Sequence, residues 1–203
     1  DYYQPDFVHC CEALSPFPGD KATVVREYDA LLSLQLDLKD HFPQVEIMRS
    51  LSVPQAGLSP AHDIQKNILR FAELFAPFSD YFLLDTLIGN PENQSFQPVA
   101  GYVGITGVVC DWNIAKVVIE KSPIPVILAG GLSGQNVYDA IVSLKPAGVD
   151  SCTQTNAVDK NGRPVRFKKD MKKVRRFVEE ARRADRFVQG ENFAAQPIHT
   201  KGI

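Results

Sequence analysis

Short apolar runs alternate with helical stripes along this chain. Phe7-Val8-His9-Cys10 reads as a strand, after which Val24, Tyr28, Leu31, Leu34, Leu38 and Phe42 recur at helical spacing. Val45 to Leu51 reads as a second strand. Ser59-Pro60 opens the next helix, a hydroxyl cap followed by proline in the first turn, and Ile64, Ile68, Phe71 and Phe75 supply its buried face. Tyr81 to Asp85 is a third strand, and residues 87–107, rich in Gly, Asn, Pro and Gln, form a long loop of the kind that often carries function. Asp111 is placed to cap a helix from Trp112 to about Glu120. Val126-Ile127-Leu128-Ala129 then stops at Gly130-Gly131, a helix runs from Asn136 to Leu144, and Gly148 to Ser151 is a fifth strand. A basic helix closes the domain, and residues 188–203 lack periodicity and read as an irregular tail.

Strand–helix alternation implies a parallel sheet covered by helices. Two architectures satisfy it, the open doubly wound sheet and the closed (β/α) barrel. The open sheet normally binds a dinucleotide through a glycine fingerprint after its first strand, whereas His9-Cys10-Cys11-Glu12 occupies that place here. Barrels hold phosphate after their last two strands, which is where Gly130-Gly131 falls. At those two glycines a turn needing positive φ and a bare backbone approached by an anion are equally good readings. Five strands are readable, where a barrel has eight.

Composition narrows the picture further. At 203 residues, 44% hydrophobic and 23% charged, the chain suits a single well-buried domain. A net charge of −2 gives no general case for nucleic acid. No apolar run is long enough for a bilayer and no signal peptide opens the chain, so a cytoplasmic protein without membrane attachment is expected. The four cysteines include no Cys-x-x-Cys pair and no metal-ligand spacing with histidine, which predicts buried, reduced thiols and no metal. Of the 22 lysines and arginines, 11 lie between Arg163 and Arg186, interleaved with Met171, Val174, Phe177, Val178 and Ala181 at helical spacing. This is a solvated helix face.

Several blocks, in order and at fitting intervals, resemble the phosphoribosylanthranilate isomerase family. Leu83-Leu84-Asp85-Thr86 is similar to that family's sixth strand. Gly104-Ile105-Thr106-Gly107-Val108-Val109-Cys110-Asp111-Trp112 resembles its Gly-Gly-Thr-Gly loop leading to Phe-Asp-Trp. Leu128-Ala129-Gly130-Gly131-Leu132 with Asn136-Val137 resembles its seventh strand and turn, and Gly148-Val149-Asp150 the start of its eighth. The likeness implies a parallel (β/α) barrel of the TIM type, ribulose-phosphate-binding-like, with residues 1–187 as its last five βα units and 188–203 as the tail. Strands one to three, about 65 residues at the usual size of a βα unit, have no counterpart. A partial barrel would expose two long sheet edges, so a natural portion upstream of Asp1 is expected.

The resemblance also implies a chemistry. The family performs an Amadori rearrangement of an N-(5-phosphoribosyl) aryl amine in tryptophan biosynthesis, an aldose–ketose isomerisation without a cofactor. The general acid implied by the Phe-Asp-Trp match is Asp111, with helix capping as its rival role. The family's base, a first-strand cysteine, has no counterpart, so activity depends on a segment that supplies it. Phosphate and substrate binding is implied for Gly107, Gly130, Gly131, Cys152 and Thr153, with Arg49 and Asp85 at strand ends facing the barrel mouth. Arg49 pairing with a carboxylate such as Asp85 is the plain alternative. Cys152-Thr153-Gln154 stands where the family has Ser-Ser-Gly, and Ile105, Cys110 and Gln154 depart from the pattern. These departures support a second reading, a relative that binds a phosphorylated sugar without this activity or with another phosphosugar chemistry. The expected partner is a small phosphorylated sugar, and a homo-oligomer is left open.

Overall fold

In a computed structural model of the chain, the described residues are 4–15, 21–57, 61–89 and 97–194. Five strands, β1 (Phe7–Cys10), β2 (Glu46–Pro54), β3 (Tyr81–Leu87), β4 (Val126–Leu128) and β5 (Gly148–Val149), form one sheet in the order β1-β2-β3-β4-β5. Every neighbouring pair is parallel. A doubly wound sheet reverses its strand order at a switch point. This one never does, and sequential parallel order is the wall of a barrel.

Four helices connect or follow these strands: α1 (Lys21–His41), α2 (Ala61–Phe75), α3 (Trp112–Lys121) and α4 (Val137–Leu144). The chain then forms an antiparallel hairpin of β6 (Asn156–Val158) and β7 (Pro164–Lys169) before α5 (Met171–Ala194). The core lies between one face of the sheet and the helices. Leu51, Val53, Phe82, Leu84, Val126 and Leu128 meet Ile64, Ile68 and Phe75 of α2, Ile114 and Val118 of α3, and Val137 and Ala140 of α4. Side chains alternate along a strand, so the intervening residues occupy the other face. By register these include His9, Met48, Ser50, Ser52, Leu83, Asp85 and Ile127.

Three expectations need correction here. The basic stretch from Arg163 is not helical throughout, because Pro164–Lys169 pairs with Asn156–Val158 and α5 begins at Met171. Residues 188–194 are helical rather than tail, continuing α5, while residues 195–203 lie outside those described. On α1 the buried face runs through Tyr28 and Gln35, leaving Leu34 and Phe42 exposed. Gln35 is tied down by donating Nε2 to the Phe78 carbonyl (2.9 Å) and to Ser79 Oγ (3.1 Å). Ser59-Pro60 and part of the long loop, residues 90–96, also lie outside the described residues.

Candidate active site

A cleft opens at the carboxyl ends of β3, β4 and β5. It is bounded by Asp85, the arm 105–107, the turn Gly130–Leu132 and residues 150–154. This is the end at which parallel β/α sheets carry their chemistry.

Asp85 is the half-buried acid of this cleft. Its Oδ1 accepts from the Thr86 N–H at 2.7 Å. Gly104, at φ +97°, lies so close to the Asp85 carboxylate that any side chain at 104 would overlap it. Burial pushes the Asp85 carboxyl up from 3.8 to about 6; the Thr86 N–H opposes the shift and the Asp150 charge adds to it.

The glycine pair is explained first by packing. Gly130 and Gly131 have φ of +79° and +62°, in the region where glycine has no penalty. A Cβ on Gly131 would stand 2.6 Å from the Val108 carbonyl carbon, and one on Gly130 would overlap Thr86 Oγ1. Thr86 Oγ1 in turn donates to the Val108 carbonyl at 2.6 Å. The turn is braced from below. Asn136 accepts from the Ser133 N–H (2.7 Å) and donates to the Gly131 carbonyl (3.2 Å), and Ser151 Oγ donates to the Leu132 carbonyl (2.6 Å). The result is a fixed, side-chain-free main chain along one wall of the cleft, so the turn reading and the anion reading are compatible.

The opposite wall is latched. Thr153 Oγ1 donates to the Ile105 carbonyl (3.2 Å) and Gln154 Nε2 to the Gly107 carbonyl (2.8 Å). Gly107 (φ +70°) presses on Thr153, whose Cγ2 would be 2.9 Å from a Cβ there. Ile105 is held at φ +59°, a left-handed conformation costly for a β-branched residue. The turn Thr153–Thr155 is a single 3-10 turn in which Thr155 Oγ1 bonds the Ser151 and Cys152 carbonyls.

The cleft therefore brings together Asp85, Gly107, Gly130, Gly131, Cys152 and Thr153. It does not include Asp111 or Arg49. Asp111 is the N-cap of α3, its Oδ1 accepting from the N–H groups of Asn113 (2.9 Å) and Ile114 (3.4 Å). Its carboxylate is occupied by the role any Asp before a helix can serve. Arg49 is not at a strand end, because β2 runs on to Pro54. Its parity turns it to the helix layer, where it is fully buried, pairs with Glu12 at 2.6 Å and lies over the Phe75 ring at 5.0 Å. The pairing alternative is thus the one found, with Glu12 as partner.

Sequence reasoning did not assign a site role to Asp150 or Thr106 on the cleft wall, or to Asn136 and Ser151 as its braces, and it named Gln154 only as a departure from the family's glycine. Proximity to Asp85 through the third and fifth strands was the available signal for Asp150. His9 bonds Ser50 Oγ at 2.8 Å. Burial pushes the Cys110 thiol up to about 12, which keeps it protonated and unreactive. Among the described residues no group of three His, Cys, Asp or Glu is placed to hold a metal, and no helix is long and apolar enough to cross a membrane.

The class is thus defined as a parallel β/α barrel segment whose candidate site lies at the strands' carboxyl ends, with a half-buried acid beside a glycine turn. A family model described as N-(5'phosphoribosyl)anthranilate (PRA) isomerase matches residues 45–180. N-(5'-phosphoribosyl)anthranilate isomerase 1 of Methanosarcina mazei is 30% identical over 165 residues, covering 81% of this chain and 64% of the relative. The isomerase of Pyrococcus abyssi is 34% identical over 145 residues, covering 71% and 55%. The solved isomerase structure from Pyrococcus furiosus superposes with a TM-score of 0.51 at 25% identity, covering 87% of this chain and 73% of that one. The chain belongs to the phosphoribosylanthranilate isomerase family. It spans less than two thirds of the length of the two sequence relatives named.

Proposed function

We propose that this chain carries the acid and the phosphate-binding side of an isomerase that converts N-(5'-phosphoribosyl)anthranilate by an Amadori rearrangement. The observation that carries the reading is Asp85. It is a carboxyl raised to about 6, at the sheet's carboxyl end, one strand away from the Gly130-Gly131 turn.

The reaction needs a proton donor as the furanose opens. Asp85 in its acid form protonates the ring oxygen while the C1–O bond breaks and the nitrogen lone pair closes an imine. A base then removes the C2 proton, and the enolamine formed tautomerises to the ketone. We assign the base to no residue of this chain. A carboxyl at about 6 is about one-tenth protonated at neutral pH, roughly a hundredfold more than one at its ordinary value. That makes Asp85, rather than Asp111, the acid in this account. The phosphate lies against the bare main chain at Gly130-Gly131 and the Cys152–Thr153 segment, where glycine backbone and N–H groups accept an anion.

A second reading rests on the latch. Gln154 bonded to Gly107 closes part of the wall a phosphate would approach, which favours a relative that binds a phosphosugar for other chemistry. One experiment separates them. In a strain lacking the isomerase, this chain expressed with a family segment that supplies the base restores growth without tryptophan, Asp85→Asn abolishes the rescue and Asp111→Asn keeps it. Rescue by Asp85→Asn overturns the acid assignment, and no rescue by the unaltered chain with the base-supplying segment present favours the second reading.

A further inference from the structure

The cleft has an electrostatic problem. Among the described residues two carboxylates, Asp85 and Asp150, line it and no lysine or arginine does, so a phosphate dianion entering there meets repulsion from them. The compensating charge stands one layer behind the wall. Lys169, the last residue of β7, donates Nζ to the Cys152 carbonyl at 2.7 Å and to Thr155 Oγ1 at 2.9 Å. We propose that Lys169 is a positioning residue for the substrate's phosphate, acting through the Cys152–Thr155 turn rather than by contact. This rests on the reading of the cleft as a phosphate site.

The local structure is built to put the ammonium there. The Asp159 carboxylate accepts from the N–H groups of Asn161 (2.8 Å) and Arg163 (2.9 Å), closing the hairpin. Pairing of Asn156 with Lys169 sets the register, and the Asp170 N–H donates to the Thr155 carbonyl at 3.0 Å. Asp170 then caps α5 through the N–H groups of Lys172 (2.9 Å) and Lys173 (3.3 Å). Lys169 is thereby held between the hairpin and the final helix, aimed at the back of the turn. Its ammonium on the Cys152 carbonyl polarises the peptide whose N–H belongs to Thr153, and hydrogen-bonded groups strengthen one another in this way. The charge also acts through space over the thickness of the turn. Lys168, one residue earlier and exposed, supplies a control with the same change in net charge.

The test is a titration of the full 203-residue chain with inorganic phosphate, followed by the amide signals of Gly131 and Thr153 at low and physiological salt. Lys169→Met is expected to raise the Kd about fivefold and to flatten its salt dependence, Lys169→Arg to restore it to within about twofold, and Lys168→Met to leave it unchanged. A Lys169→Met protein that binds as the unaltered chain overturns the role of Lys169 and leaves the phosphate site standing. Equal weakening by methionine and arginine overturns the charge argument in favour of simple packing. If methionine disturbs the amide pattern of residues 151–156, Lys169→Gln takes its place as a neutral donor, and unaltered binding by it overturns the proposal. No phosphate response in the unaltered chain overturns the phosphate reading and this inference together.

Discussion

Asp85 and Asp111 stand at opposite ends of one long connection, the first inside β3 and the second at the start of α3, and they differ in what surrounds them. Asp111 is given two helix N–H groups and remains outside the cleft. Asp85 is given one N–H, a glycine backbone pressed against it and a second carboxylate nearby. A carboxyl that burial strips of water, with few N–H donors to replace it, has its pKa raised, as that of Asp85 is to about 6. The difference teaches that a motif's aspartate is assigned by its environment rather than by the residues beside it in sequence.

The largest effect expected of this contrast is on turnover. On the proposed reading, and with the base supplied by an added segment, Asp85→Asn lowers turnover by about a thousandfold in a steady-state assay, the usual worth of a general acid, while Asp111→Asn stays within a fewfold because asparagine caps as well as aspartate. Next comes the scaffold that keeps the two regions apart. Gly131→Ala costs about 3 kcal/mol in denaturant unfolding, since a left-handed φ and a backbone overlap with Val108 act together.

A third effect concerns pH. The native carboxyl of Asp85 holds its proton up to about 6, whereas the unfolded chain releases it near 3.8. Between those values the native state binds more protons, so stability from this group is complete below 3.8 and is lost as pH rises through about 6. The loss is up to about 3 kcal/mol. Asp85→Asn therefore raises stability at neutral pH and flattens the pH profile of unfolding. The smallest effect is at the other aspartate. Asp111→Ala costs about 1 kcal/mol for the lost cap, without a change in the pH profile of turnover.

Much of this arrangement was legible in the chain. The five core strands, the α2 stripe of Ile64, Ile68, Phe71 and Phe75, and the capping position of Asp111 follow from periodicity and helix-start chemistry, which are local. The β6–β7 hairpin was not legible, because Pro164 to Lys169 is exposed and basic and merges with the pattern of α5, so no apolar alternation marks it. The strand-end placement of Arg49 failed for a different reason, although its pairing with a carboxylate was an open alternative. Whether it faces substrate or the helices depends on where β2 ends and how it pairs, and a one-residue change of parity reverses the answer. Asp85 needed burial to be recognised, and its burial comes from Gly104 and the fold of the loop, residues distant in sequence from β3.

The most direct measurement is the titration of the aspartate side-chain carboxyls by carbon-detected NMR in the intact chain. The account predicts that Asp85 titrates near 6 and that its midpoint falls when Asp150 is replaced by asparagine. An Asp85 midpoint near 4, in the ordinary range for an aspartate, would contradict it.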